Sequence, residues 1–152
     1  MPARLLVLGC SATKRRDPGA LPAIERYDGP MWRTLRAALS EIRPAERPRV
    51  AVLSAEHGFI PALKPIADYD RRMDRARAAE LAADPLQVDR LGVLAFDASE
   101  IHVAGGAVYR SCVLQALGVL GRVSGEVTHP APGLGIGRQR QALRAWLAQM
   151  EA

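Results

Sequence analysis

The sequence predicts an α/β fold: a three-layer α/β/α sandwich around a short parallel sheet of about four strands. Two observations carry this. Short, continuous apolar runs recur along the chain, each ending at small or polar residues, and the stretches between them bear apolar residues at helical spacing. Such alternation calls for crossover connections and for strands covered on both faces. Hydrophobic residues make up 49% of the 152 residues, charged residues 24% and aromatics 5%. That composition suits one globular domain over 1–152 with an aliphatic interior, and fits neither disorder nor a coiled coil.

The first run, Leu5-Leu6-Val7-Leu8, ends at Gly9. It lacks the alternation of a half-exposed strand and reads as one buried on both faces. Asp28 is placed to cap the next element and Pro30 to occupy its first turn. Met31, Leu35, Ala38, Leu39 and Ile42 then repeat at helical spacing until Pro44. Pro44 to Pro48 is a connector, and Val50-Ala51-Val52-Leu53, ending at Ser54, is the second strand. Pro61 to Pro65 reads as a loop. Tyr69 to Phe96 reads as two helices divided near Asp84-Pro85. Ile101-His102-Val103-Ala104 is the third strand, ending at Gly105-Gly106, and Ala107 to Leu120 the helix after it. Val123 to Val127, where Ser124 and Glu126 alternate with the valines, is an edge strand, and Arg138 to Met150 is the last helix.

Only Lys14 and Lys64 among the 21 basic residues are lysines, and the net charge of +5 favours an anionic partner. No apolar run reaches the roughly 18 residues needed to span a bilayer, so the expected location is cytoplasmic, with no membrane partner. Cys10 and Cys112 match neither a disulfide framework nor a ligand pair for a metal; both are read as reduced thiols. The sequence implies no metal and no cofactor. It has no G-x-G-x-x-G after the first strand and no G-x-x-x-x-G-K-[ST].

In an open parallel sheet, ligands bind beyond the carboxyl ends of the strands. The residues there are Gly9-Cys10-Ser11-Ala12-Thr13-Lys14, Ser54-Ala55-Glu56-His57-Gly58, Gly105-Gly106-Ala107-Val108-Tyr109-Arg110, and Thr128-His129-Pro130 leading to Gly133-Leu134-Gly135-Ile136-Gly137. These loops are expected to converge on one cleft. Gly105, Gly106, Gly135 and Gly137 suit close approach of the backbone to an anion. Lys14 and Arg110 are the cations placed to pair with one, with Arg138 and Arg140 nearby. His57, Glu56, Asp70 and His129 are candidates for acid-base work, and Cys10 for a nucleophile if a neighbouring cation favours its thiolate. Arg71-Arg72-Met73-Asp74-Arg75-Ala76-Arg77 mixes charge signs and reads as a solvated helix face beside Tyr69-Asp70.

Six motifs in order resemble an uncharacterised family of small bacterial and phage proteins. They are Cys10-Ser11-Ala12-Thr13-Lys14 (C-S-x-x-K), Tyr27-Asp28-Gly29, Leu53-Ser54-Ala55-Glu56-His57-Gly58 (L-S-A-x-H-G), Tyr69-Asp70, Gly105-Gly106-Ala107-Val108-Tyr109-Arg110 (G-G-x-x-Y-R), and Gly133-Leu134-Gly135-Ile136-Gly137 (G-L-G-I-G). The C-S-x-x-K loop is also distantly similar to one in the uracil-DNA-glycosylase-like domain of archaeosine synthase, where it continues Pro-Tyr; this chain has Arg15-Arg16 instead. The resemblance implies a uracil-DNA-glycosylase-like fold and an enzyme acting on a nucleobase, nucleoside or nucleotide, free or within nucleic acid, by N-glycosidic cleavage or base modification. On that reading His57 or Lys14 meets the departing base, Glu56 or Asp70 places a water, and Tyr27, Tyr69 or Tyr109 stacks on the base while Ser11 and Ser54 help to hold it. Two other readings share the same loops: a non-catalytic nucleotide or nucleic-acid binding module, and a Cys10-dependent acyl- or amide-group enzyme.

Overall fold

The structure, a computed structural model, describes residues 3–121, 123, 125–130 and 133–151. In chain order the elements are β1 (Ala3–Gly9), β2 (Leu21–Pro22), α1 (Ala23–Arg26), α2 (Pro30–Ser40), β3 (Arg49–Ser54), β4 (Gly58–Pro61), β5 (Pro65–Ile66), α3 (Arg75–Ala83), α4 (Pro85–Leu94), β6 (Ala98–Ala104), α5 (Ala107–Leu120), β7 (Glu126–Thr128) and α6 (Ile136–Ala148). The first apolar run becomes the centre of the sheet. β1 pairs in parallel with β3 on one side, Leu6 opposite Val50, and with β6 on the other, Leu6 opposite His102. Leu5 to Cys10 is buried throughout. Side chains alternate across a strand, so Leu6 and Leu8 join one core, with Trp32 and Leu35 of α2 and Leu143 and Trp146 of α6. Leu5 and Val7 join the other, with Leu81, Leu91 and Val113 of α3, α4 and α5. Helices therefore cover both faces, and each fully buried leucine contributes about 2 kcal/mol of transfer free energy.

The sheet has five strands in the order β4-β3-β1-β6-β7, four of them parallel and β4 antiparallel to β3. The four parallel strands are those expected from the sequence; the antiparallel β4 is an addition to them. The residues after β3 do not lead into a crossover helix; they turn within Ala55-Glu56-His57, and Gly58, at φ +71°, starts the return strand. A side chain on Gly58 would also meet Gln87, a β carbon there lying 2.1 Å from Gln87 Oε1. Three smaller differences follow from local chemistry. Gly29, not Asp28, is the N-cap of α2, because the Asp28 carboxylate pairs with Arg33 at 3.0 Å and Arg36 at 2.5 Å. Residues 69–74 are irregular, since Asp74 caps α3 by accepting from Arg77 N–H at 2.8 Å and so sets its start. The edge strand lies at Glu126–Thr128; Ser124 of the expected strand lies outside the described residues. Among the described residues no helix is long and apolar enough to cross a membrane.

A second, two-stranded pairing of β2 with β5 holds the long loop after β1 against the connection after β4. Arg26, fully buried at the end of α1, donates to the carbonyls of Arg15, Asp17, Gly19 and Ile66 at 2.7 to 3.2 Å. A buried guanidinium is tolerated where its N–H groups meet acceptors, as both terminal nitrogens do here, while Nε is buried with no partner among the described residues. Here those bonds fix the course of residues 15–19.

Candidate functional site

β1, β3, β6 and β7 run parallel, so their carboxyl ends share one edge of the sheet. There β1 delivers Cys10, whose N–H donates to Leu53 O at 3.0 Å. Tyr109, in the first turn of α5, lies directly over Gly9: a β carbon on Gly9 would come within 2.5 Å of the phenol ring. Gly105, at φ +117°, allows the adjoining loop to pass close to the Gly9 amide. Tyr109 Oη sits 3.3 Å from Cys10 Sγ, which also accepts from Ala55 N–H at 3.4 Å. The thiol is buried, and no histidine or carboxylate among the described residues bonds to it.

Beyond Cys10, Ser11 Oγ donates to Thr13 O at 2.6 Å and accepts from Gly29 N–H at 3.2 Å, tying the loop to the start of α2. Lys14 bridges to Tyr27 in the backbone, and Asp28 N–H donates to Thr13 O at 2.9 Å. These bonds bring the loop against a hub built on the last residue of β3. Ser54 Oγ accepts from Tyr27 Oη at 3.1 Å and from His57 N–H at 3.1 Å, and lies 3.1 Å from Tyr69 Oη. Tyr27 Oη and Tyr69 Oη are 2.8 Å apart. With Tyr27 giving its proton to Ser54, the three hydroxyls satisfy one another only if Ser54 donates to Tyr69 and Tyr69 to Tyr27, a closed ring of three donors and three acceptors. Burial pushes the phenols of Tyr27, Tyr69 and Tyr109 above their ordinary range, so all three remain protonated at neutral pH.

Tyr69, half-buried, is where the functional candidates meet. The Lys14 ammonium lies 4.5 Å from the centre of its ring, and the His57 ring stands edge-on to it at 5.6 Å and 90°. A cation over an aromatic face is attracted by the ring quadrupole. His57 Nε2 is buried and has no hydrogen-bond partner among the described residues. Desolvation lowers the His57 pKa, with Glu56 opposing and Lys64 reinforcing that shift, so the imidazole is neutral at pH 7. The turn carrying His57 is clamped from below: Arg77 donates to Ala55 O at 2.7 Å and Glu56 O at 3.2 Å, and Gln87 Oε1 accepts from Phe59 N–H at 2.9 Å.

Other expected site residues are placed differently. Tyr27 is fully buried, so its ring is not open to a ligand. Arg110 is buried and donates to Gly105 O at 3.1 Å, which makes it a brace for the glycine turn rather than a cation offered to an anion. Glu56 and Asp70 are exposed, without a side-chain hydrogen bond among the described residues. Gly106 and Gly135 are the N-caps of α5 and α6, and Gly137 lies in the first turn of α6. α6 packs on α2, where Arg140 donates to Thr34 Oγ1 at 2.7 Å. His129, also exposed, has Nδ1 3.1 Å from Pro130 O. Among the described residues no three His, Cys, Asp or Glu side chains gather as a metal site. Sequence reasoning missed Arg26, Arg77 and Gln87, which position the loops by bonding to the main chain.

A family of unknown function matches residues 5–145, from the first strand to the last helix. The chain belongs to that family, DUF6884. The matched stretch of DUF6884 contains every residue of the hub, with Cys10, Lys14, His57 and Tyr109 around it. No curated protein and no solved structure matches the chain.

Proposed function

We propose that this chain is an enzyme acting on a nucleobase, nucleoside or nucleotide unit, with Tyr69 as the base platform. The observation that carries the reading is the grouping at Tyr69 of a ring, the Lys14 ammonium and a neutral, partly buried imidazole at the carboxyl edge of a parallel sheet. These serve the three parts of such a ligand. The ring offers a stacking face worth about 1–3 kcal/mol per base. Lys14, held here by the ring and by a long contact to Ala12 O at 3.5 Å, is free to swing onto a phosphate or a departing base. The neutral imidazole accepts a proton.

In its hydrolytic form the reaction breaks the bond between sugar and base. Positive charge grows on the sugar and negative charge on the base, water adds to the sugar carbon, and its proton passes to His57 and ultimately to the base. Lys14 stabilises the leaving base, and Asp70, next to Tyr69, faces the sugar charge. The glycosylase-like form of this proposal, and the uracil-DNA-glycosylase-like architecture, rest on the similarity of the Cys10 to Lys14 loop to that of the archaeosine synthase domain.

The test combines titration calorimetry against nucleobases, nucleosides and nucleotides with chromatography for released base. Lys14→Ala is expected to weaken binding at least about tenfold with a nearly unchanged melting temperature, since a partly exposed surface cation adds about 0–1 kcal/mol to stability. His57→Gln is expected to keep binding and lose turnover. Binding without turnover in the unsubstituted protein would make the chain a binding module; absence of binding, or identical binding by Lys14→Ala and Tyr69→Leu, overturns the proposal.

A further inference from the structure

Resting on the reading that Tyr69 receives a base, we infer that the base is presented within a single-stranded nucleic acid rather than as a free nucleotide. The segment that carries Tyr69 continues into Arg71, Arg72 and Arg75, all exposed and without an ion-pair partner among the described residues. The other arginines around this edge are engaged. Arg15 is held by Asp17 and Arg16 by Asp68, each at 2.8 Å; Arg33 and Arg36 share Asp28; Arg26, Arg77 and Arg110 are bonded to main-chain carbonyls. Arg71, Arg72 and Arg75 thus follow the platform as a run of uncommitted positive charge, with Lys14 over the ring and Lys64 beside His57.

Arg75, at the end of that run, also lines a groove of ≈ 420 Å³ between α3 and α5, with Ala78 and Ala79 on one helix and Ala107, Ser111 and Gln115 on the other. A mononucleotide on Tyr69 would leave the arginines and the groove unused. A strand bound there has one base on the ring, flanking phosphates on Lys14, Arg71 and Arg72, and the next nucleotides over Arg75. A single strand is required because a base paired in a duplex has no free face for Tyr69.

The experiment compares binding of mononucleotides with that of short fluorescent single-stranded DNA and RNA homopolymers, by anisotropy across a salt series; the two polymers distinguish which backbone is preferred. The oligonucleotide is expected to bind at least about tenfold tighter than the mononucleotide at low salt. Neutralising three to four phosphates should give a log–log salt slope of about −2 to −3. Arg71→Glu with Arg72→Glu should lower the oligonucleotide-to-mononucleotide affinity ratio at least about tenfold and flatten the slope. Ala79→Trp, which narrows the groove without touching a charge, should lower the same ratio, and circular dichroism melts check that each variant is folded. An oligonucleotide that binds no tighter than the mononucleotide, with a flat salt response, overturns this inference while leaving the base platform standing. Failure of mononucleotides and oligonucleotides alike removes the platform itself. Preference for phosphatidylserine vesicles over both polymers would assign the arginines to a membrane surface and also overturns the inference.

Discussion

Replacing His102 by phenylalanine is expected to flatten the pH dependence of stability between pH 4 and 6.5, the window set by the displacement of this imidazole from its ordinary value of 6.5 to about 4. His102 is 6% exposed and stacks on the Trp146 indole at 5.1 Å and 18°. Its Nδ1 lies 2.7 Å from Thr128 Oγ1, and Nε2 is buried with no partner among the described residues. Protonation would place a cation and an unpaired N–H between the sheet and α6. Burial is the chief cause of the lowered pKa, Glu100 opposes it and His129 adds to it. Glu100 is already engaged by Trp146 Nε1 at 2.7 Å and Arg4 at 3.3 Å. The sign follows from proton counting. Above pH 6.5 both states are neutral and the contribution is complete. As pH falls, the unfolded chain takes up a proton that the native state refuses, and stability drops until about pH 4, where both are charged. At about 1.36 kcal/mol per pH unit, the loss is about 3 kcal/mol. Phenylalanine keeps the stack and cannot titrate. Asp17, Asp28 and Asp68 are held below 3.8 by their arginines and titrate under this window, while His57 is common to both proteins and cancels in the difference. Urea unfolding at closely spaced pH values measures the two curves. Parallel curves would show that His102 is not charged at this cost, and the account of the α6 interface would be wrong.

Three further outcomes are expected. Arg26→Leu leaves the carbonyls of Arg15, Asp17, Gly19 and Ile66 without their donor, at about 1–3 kcal/mol for each that stays buried, so chemical denaturation should show a loss of at least about 3 kcal/mol. Gly9→Ala drives a methyl group into the Tyr109 ring and should cost about 1–3 kcal/mol, with Tyr109→Ala restoring part of the loss in the double variant; an unchanged melting temperature refutes the close approach. Cys10 and Cys112 are both free and buried, and burial pushes the Cys112 thiol up to about 11. Thiol titration without reductant should count two thiols after denaturation and only slow reaction before it, whereas fewer than two on denaturation would reveal a bond that the structure does not contain.

The sheet was legible where burial is symmetric. β1, β3 and β6 are covered on both faces, so their sequences become unbroken apolar runs that stand out from helical spacing. β4 was not, because Phe59 and Ile60 form too short a run between Gly58 and Pro61, and it is the pairing with β3 that makes it a strand. The gathering of Cys10, Lys14, His57 and Tyr109 at the strand ends followed from topology alone. Its wiring did not. Tyr27 and Tyr69 are 42 residues apart, and Tyr69 lies on a segment without regular structure, so nothing in local pattern brings their hydroxyls together. Arg26 and Arg110 show the same limit in another form: their acceptors are main-chain carbonyls, which every residue possesses and which leave no mark on the sequence.

Residues 67–73 make no main-chain to main-chain hydrogen bond among the described residues, and the stretch is held by side chains: Asp68 to Arg16, the Tyr69 hydroxyl in its ring, and Asp74 at the start of α3. Amides held in this way open without unfolding the sheet, so they should exchange with deuterium orders of magnitude faster than those of β1. Trypsin, which cuts after arginine, should nick the native protein first at Arg71 or Arg72 and leave two fragments that stay together through the pairing of β1 with β6. Tyr69 and the arginines that follow it thus sit on a stretch of chain whose order depends on three side chains. Whatever ligand orders that stretch would announce itself as slowed exchange and a protected cleavage site before any product is measured.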